Sequence, residues 1–123
     1  MIDETKLRPF SILYVEDEDF LREKFLELFH MIFARVWSAE NGAQGYKMFE
    51  EYRPDIVVTD IKMPVMDGLE MAARIKEKYP SVPVIVLTAF SETEYMMKAI
   101  ETGIDRYVPK PVDGDILTEA IYK

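Results

Sequence analysis

Five short apolar runs punctuate the chain: SILYV at 11–15, RVWSA at 35–39, DIVVT at 55–59, VPVIVLTA at 82–89 and RYV at 106–108. Each has the length of a strand. Between them the apolar positions change period. Leu21, Phe25, Leu28, Phe29 and Ile32 recur at i, i+4, i+7, i+8 and i+11, one stripe along a helix. A second helical segment runs from Gly42 to Tyr52 and is weakened by Gly45 inside it. A third follows Gly68, with Leu69, Ala72, Ile75 and Tyr79 recurring, and stops at Pro80. A fourth opens on SETE, where Ser91 and Glu94 make a capping box; it turns Met96, Ala99 and Ile100 inward and ends at Gly103. A fifth starts near Asp113 and turns Leu117, Ala120 and Ile121 toward the core.

Strict alternation of strand and helix predicts parallel strands joined by helical crossovers, and right-handed crossovers put helices on both faces. Runs one, three and four are apolar on both sides, so they belong in the middle of the sheet. Run two carries Arg35 and Ser38, and run five is very short, so both are predicted as edges. The result is an α/β fold: a flavodoxin-like (βα)5 doubly wound parallel sheet of order 2-1-3-4-5 in three α/β/α layers. That order is also known for the family named below, so the two expectations are not independent.

Composition narrows the picture. The 123 residues suit one domain spanning 1–123, and 49% hydrophobic residues can fill a core. The last helical pattern reaches Lys123 without a C-cap signal, as would the N-terminal part of a longer chain. With 23 Asp plus Glu against 15 Lys plus Arg, the formal charge is -8, which disfavours direct contact of this segment with nucleic acid. Cys is absent, which excludes disulfides, thiolate catalysis and Cys-based zinc sites. No apolar stretch is long enough to span a membrane, and the charged N-terminus lacks the apolar core of a secretion signal. A cytoplasmic domain is expected.

In a doubly wound sheet, ligands bind beyond the carboxyl ends of the strands, where the order reverses. The residues there carry chemistry. Strand one is followed by Glu16 and Asp17, strand three ends in Asp60, strand four carries Thr88 and then Ala89, and strand five is followed by Lys110. Two like charges ~4 Å apart repel by roughly 4 kcal/mol at an effective dielectric of about 20. Three clustered carboxylates therefore need raised pKa values or counter-cations, and Lys110 supplies only one positive charge. A hard divalent ion with oxygen ligands fits the remainder, with Mg²⁺ the best match. Beside it, Asp60 has the makings of a nucleophile toward a phosphoryl group, with Lys110 and Thr88 holding the transferring oxygens.

These residues carry a family resemblance. The pair Glu16-Asp17, the stretch DIKMPVMDG from Asp60 to Gly68, Thr88-Ala89, Tyr107 and Lys110-Pro111 occur in order across the five units. Together they resemble the receiver domains of two-component response regulators. The resemblance implies that Asp60 accepts a phosphoryl group from a histidine kinase or a histidine phosphotransfer protein. It implies that Glu16, Asp17, Asp60 and the backbone carbonyl of Lys62 hold Mg²⁺, and that Thr88 and Lys110 contact the phosphoryl oxygens. Tyr107 is implied as a switch aromatic, Lys110-Pro111 as a cis peptide. Such a domain catalyses its own phosphorylation and slow aspartyl-phosphate hydrolysis, and signals through the surface of its fourth and fifth helices to an effector or in a phosphorylation-dependent homodimer.

Departures from the family pattern matter. Glu16 stands where Asp is commoner, which suggests metal contact through water. Lys62 and Phe90 occupy positions that tune phosphate lifetime in the family, and a cation plus a bulky ring there predict a long-lived phospho-form. Ile104 replaces a small residue, for which the sequence offers no reason. Among other readings, a haloacid dehalogenase-like phosphohydrolase would need a second Asp two residues after Asp60, and position 62 is Lys. A flavin or nucleotide binder would need a glycine-rich loop after the first strand, where YVEDED is acidic. A receiver-like domain that is no longer phosphorylated is disfavoured because every rim residue is present. His30 lacks a helical-bundle context for phosphotransfer, Trp37 reads as packing, and Met96 and Met97 read as core filling.

Overall fold

The computed structural model describes residues 7–89, 100 and 103–110; of residues 88, 89, 107, 109 and 110 it describes the backbone. The elements run β1 (Ser11–Val15), α1 (Asp19–Ile32), β2 (Arg35–Ala39), α2 (Gly42–Tyr52), β3 (Ile56–Asp60), α3 (Gly68–Lys78), β4 (Val84–Ala89) and β5 (Arg106–Lys110). The strands form one parallel sheet of order β2-β1-β3-β4-β5. This is the order that strand polarity suggested. β2 is exposed or half-buried along most of its length, as an edge strand should be, whereas β1 and β3 are buried throughout. The predicted fourth and fifth helices, with Ser91, Glu94, Met96, Met97, Asp113 and Leu117, lie outside the described residues apart from Gly103 and Ile100, and Ile100 is 73% exposed where the pattern turned it inward.

Two apolar layers sandwich the sheet. On one face Ile12, Tyr14, Ile56, Val58, Ile85 and Leu87 meet Phe25, Phe29 and Ile32 of α1. On the other, Leu13, Val15, Val57, Val84 and Val86 meet Phe49 of α2 and Leu69, Met71, Ala72 and Ile75 of α3. Alternate strand residues thus feed opposite layers, as the pleat requires. Leu21 and Leu28 of the predicted α1 stripe pack only at the margin of the first layer. Ile104 is half-buried against the second layer, which accounts for its size.

Gly45, which weakened the prediction of α2, is there for close approach. A Cβ would stand 2.7 Å from Met71 Sδ and 2.9 Å from Val15 Cγ2. α2 therefore lies tight against both β1 and α3. Its outer surface carries a polar hub: Glu50 accepts from Tyr46 Oη at 2.7 Å, Lys78 Nζ at 3.1 Å and Tyr79 Oη at 3.3 Å. Trp37 of the edge strand stacks on Tyr52, centroids 5.1 Å apart, in the packing role its position suggested. His30 is exposed near the end of α1.

The amino end of the sheet repeats one device. Asp55, just before β3, accepts from the amide of Ser11 at 2.8 Å and its hydroxyl at 3.0 Å. Asp105, just before β5, accepts from the amide of Val84 at 2.8 Å and from Lys76 Nζ at 2.7 Å. Each aspartate satisfies the first amide of the neighbouring strand, where a ladder partner runs out. The polar starts of the strands are thereby closed, and the acidic groups left for chemistry lie at the other end.

Candidate functional site

At the carboxyl end of the sheet, β1 and β3 are neighbours, with Val15 opposite Thr59. Glu16 and Asp17, just past β1, thereby meet Asp60, the last residue of β3, and each offers a carboxylate oxygen within 4.8 Å of the others. Glu16 and Asp60 are buried and Asp17 is exposed, so the cluster opens to solvent on one side. The spacing lets one small cation touch or approach all three, and an all-oxygen acidic set suits Mg²⁺.

Glu16 and Asp60 are held by their surroundings. Glu16 is fixed in the main chain by its amide, which donates to Ala39 O at 3.0 Å, and by its carbonyl, which accepts from Arg22 Nη1 at 2.8 Å. Its carboxylate accepts from the amide of Glu18 at 3.3 Å and from the hydroxyl of Tyr14 at 3.5 Å. Burial, and then the charges of Glu16 and Asp60, push the Tyr14 hydroxyl well above the usual phenol range, so it keeps its proton and donates. Asp60 Oδ1 accepts from the amide of Ile61 at 2.8 Å, and its backbone carbonyl accepts from Thr59 Oγ1 at 2.9 Å. Arg22 also pairs with Asp19 within α1 and with Glu40 just past β2, tying α1 to the end of that strand.

The loop from Ile61 to Asp67 is pinned at both ends. The amide of Gly68 donates to Ile61 O at 2.8 Å, and the amide of Gly42 donates to Met66 O at 2.9 Å. A Cβ on Gly42 would overlap Met66 O, so α2 and this loop meet backbone to backbone. Asp67 caps α3 by accepting from the amide of Glu70 at 2.8 Å. Lys62 lies in this loop, two residues beyond Asp60, with its side chain at the surface. Val65 adopts φ of 71° while 82% exposed, a left-handed conformation unusual for a β-branched residue.

The remaining predicted residues are placed by the backbone. Leu87 pairs with Asp60, so Thr88 follows at the same rim, and Lys110 ends β5 opposite Ala89. Tyr107 pairs with Val86. The side chains of Thr88, Tyr107 and Lys110, the whole of Phe90 and the Lys110-Pro111 peptide lie outside the described part. Tyr14 and Arg22 are contacts that sequence reasoning missed. Tyr14 looked like another core position of an apolar strand, and Arg22 like one more helix charge.

The sequence matches the model of the response regulator receiver domain over residues 12–122. The chain belongs to that family. It is a receiver domain of the two-component kind, whose members are phosphorylated and generally bind Mg²⁺. This receiver is 36% identical over 111 residues to the chemotaxis protein CheY of Halobacterium salinarum, covering 90% of this chain and 92% of that one. It is also 36% identical over 111 residues to the transcriptional regulatory protein AfsQ1 of Streptomyces coelicolor, covering 90% of this chain but 49% of that one. Among solved structures it resembles the N-terminal domain of an uncharacterized protein from Wolinella succinogenes. That match has a TM-score of 0.85 and 42% identity, and covers 91% of this chain and 90% of the other. The haloacid dehalogenase reading is not supported. Among the described residues, no helix is long and apolar enough to cross a membrane.

Proposed function

We propose that Asp60 is the phosphoacceptor of this receiver and that a histidine kinase or histidine phosphotransfer protein is the donor. The observation that carries the reading is the convergence of Glu16, Asp17 and Asp60, with oxygens within 4.8 Å at a buried strand end. Glu16, Asp17, Asp60 and the carbonyl of Lys62 would hold Mg²⁺, which when bound neutralises charge on the transferring phosphoryl group. The Asp60 carboxylate attacks phosphorus, the Oδ–P bond forms, and the N–P bond of the phosphohistidine breaks. The imidazole leaves with the electron pair and takes up a proton. The amide of Ile61 orients the attacking carboxylate. Thr88 and Lys110 supply a hydroxyl and an ammonium to the phosphoryl oxygens.

The product carries close to two added negative charges at one rim. Drawing Thr88 toward them and Tyr107 after it shifts the population of the face formed by β5 and the predicted fourth and fifth helices. That face would meet an effector or a second phosphorylated copy, in the cytoplasm, without direct nucleic-acid contact by this segment. Lys62 and Phe90 would prolong the phospho-form by shielding it from water.

Incubation with a small-molecule phosphodonor and Mg²⁺, read by intact mass, tests the assignment. One phosphoryl adduct is expected, absent in Asp60→Asn. An adduct that persists in the variant would overturn it.

A further inference from the structure

Glu16 has one more rotatable bond than an aspartate would have, so holding its carboxylate in one direction takes a fixed partner. The structure points to the residue two before it. Tyr14 and Glu16 are i and i+2 along an extended chain, so both side chains leave the same face of the sheet. The Tyr14 ring is fully buried and wedged edge-on against Phe25 and Phe29, with centroids 6.1 and 5.3 Å away. Its hydroxyl lies 3.5 Å from Glu16 Oε1, while Oε2 takes the amide of Glu18 at 3.3 Å. Both oxygens of the carboxylate therefore have a donor fixed by the fold, one from an immobile ring and one from the backbone.

We propose that Tyr14 is a positioning residue of the cation site, setting through its hydroxyl the direction in which the longer Glu16 side chain presents its carboxylate. This rests on the Mg²⁺ site proposed above. The pair is matched in length: an aspartate at position 16 would withdraw its oxygens from the hydroxyl. Outer partners of ligating carboxylates tune metal affinity because they remove orientations that cannot bind.

The test is a Mg²⁺ titration of the unphosphorylated protein, followed by amide resonances, with wild type, Tyr14→Phe, Glu16→Asp and the double variant. Tyr14→Phe keeps the ring and its packing and removes only the oxygen. It is expected to weaken binding by about 10-fold, the low end for such a partner, because 3.5 Å is a long hydrogen bond. In the Glu16→Asp background the same change is expected to have no effect, since the hydroxyl has nothing to position. Equal affinity of Tyr14→Phe and wild type overturns the proposal, as does an equal loss in both backgrounds, which would mark a purely structural role. If wild type itself shows no saturable binding, the metal site fails and the positioning role with it. If wild type does bind Mg²⁺ but the effects of Tyr14→Phe and Glu16→Asp simply add, the positioning role alone is overturned.

Discussion

A Cβ placed on Gly68 would overlap the carbonyl oxygen of Asp60 and lie 2.9 Å from Thr59 Oγ1. The first turn of α3 thus presses against the end of β3, and the acidic residue at that strand end cannot shift without the helix. Overpacking of this kind costs typically ~1–3 kcal/mol. Gly68→Ala is expected to reach the upper end of that range in urea denaturation, because the obstacle is backbone and cannot swing away. It is also expected to weaken Mg²⁺ binding. An unchanged denaturation midpoint would show that the helix relaxes freely.

Val65 offers a gain in stability. Its φ of 71° places a β-branched side chain in the left-handed region, with 82% of its surface exposed and little packing to lose. The amide of Met66 donates to Pro64 O at 2.8 Å, so Val65 is the central residue of a γ-turn, a rare and strained conformation that glycine adopts without a Cβ penalty. Val65→Gly removes strain of ~1–3 kcal/mol against roughly 0.5–1 kcal/mol of added unfolded-chain entropy, and should raise stability by about 1 kcal/mol, read as an increase in midpoint at constant m-value.

The acidic cluster should couple stability to Mg²⁺. A cation bound only by the folded state stabilises it by about 1.4 kcal/mol at ten times its dissociation constant. Melting temperature should rise with MgCl2 and fall back on adding EDTA. Asp17→Asn should move the two conditions in opposite directions. Without metal, losing one charge near Glu16 and Asp60 relieves repulsion of about 1 kcal/mol in a water-like medium; with metal, the gain from Mg²⁺ shrinks. Parallel melting curves for the two proteins in both conditions would count against a shared cation site.

The Glu50 hub should make stability sensitive to acid. The hydrogen bond from Tyr46, followed by that from Lys78, holds the Glu50 carboxyl below its ordinary value. Between the folded and unfolded values the unfolded chain binds more protons than the native state, so stability rises with pH there. The contribution is present above the unfolded value, ~4.3 for Glu, and is lost as pH falls through the folded one. Glu50→Gln should therefore be less stable than wild type near neutrality, with the gap closing on acidification through that window. Denaturation midpoints for both proteins at several pH values will check this; a gap that persists in strong acid would mean the loss comes from packing.

Much of the site was legible before the fold was known. Asp60 stood out because it ends an apolar run and is followed by a Pro-Gly loop, and Glu16-Asp17 because a pair of acids follows another such run. Period and polarity alone placed β2 at an edge, since Arg35 and Ser38 would have interrupted a central strand. Boundaries were less legible: β3 ends in Asp60 as expected but begins at Ile56, whereas the run was read from Asp55. Asp55 is instead spent on Ser11, a contact between residues 44 apart that no local pattern can announce. The value of Gly45 was equally hidden, because its reason is the sulfur of Met71 on another helix.

The sequence by itself determined which residues are acidic, which runs are strands and which faces seek a core, because period and side-chain chemistry are local properties. Only the tertiary structure decided that Glu16, Asp17 and Asp60 share one small volume, that Arg22 and Tyr14 close around Glu16, and that two glycines are obliged by neighbouring carbonyls. Those facts depend on distances between segments remote in the chain, and such distances are set only when the parallel strands fall into register and the helices pack down upon them.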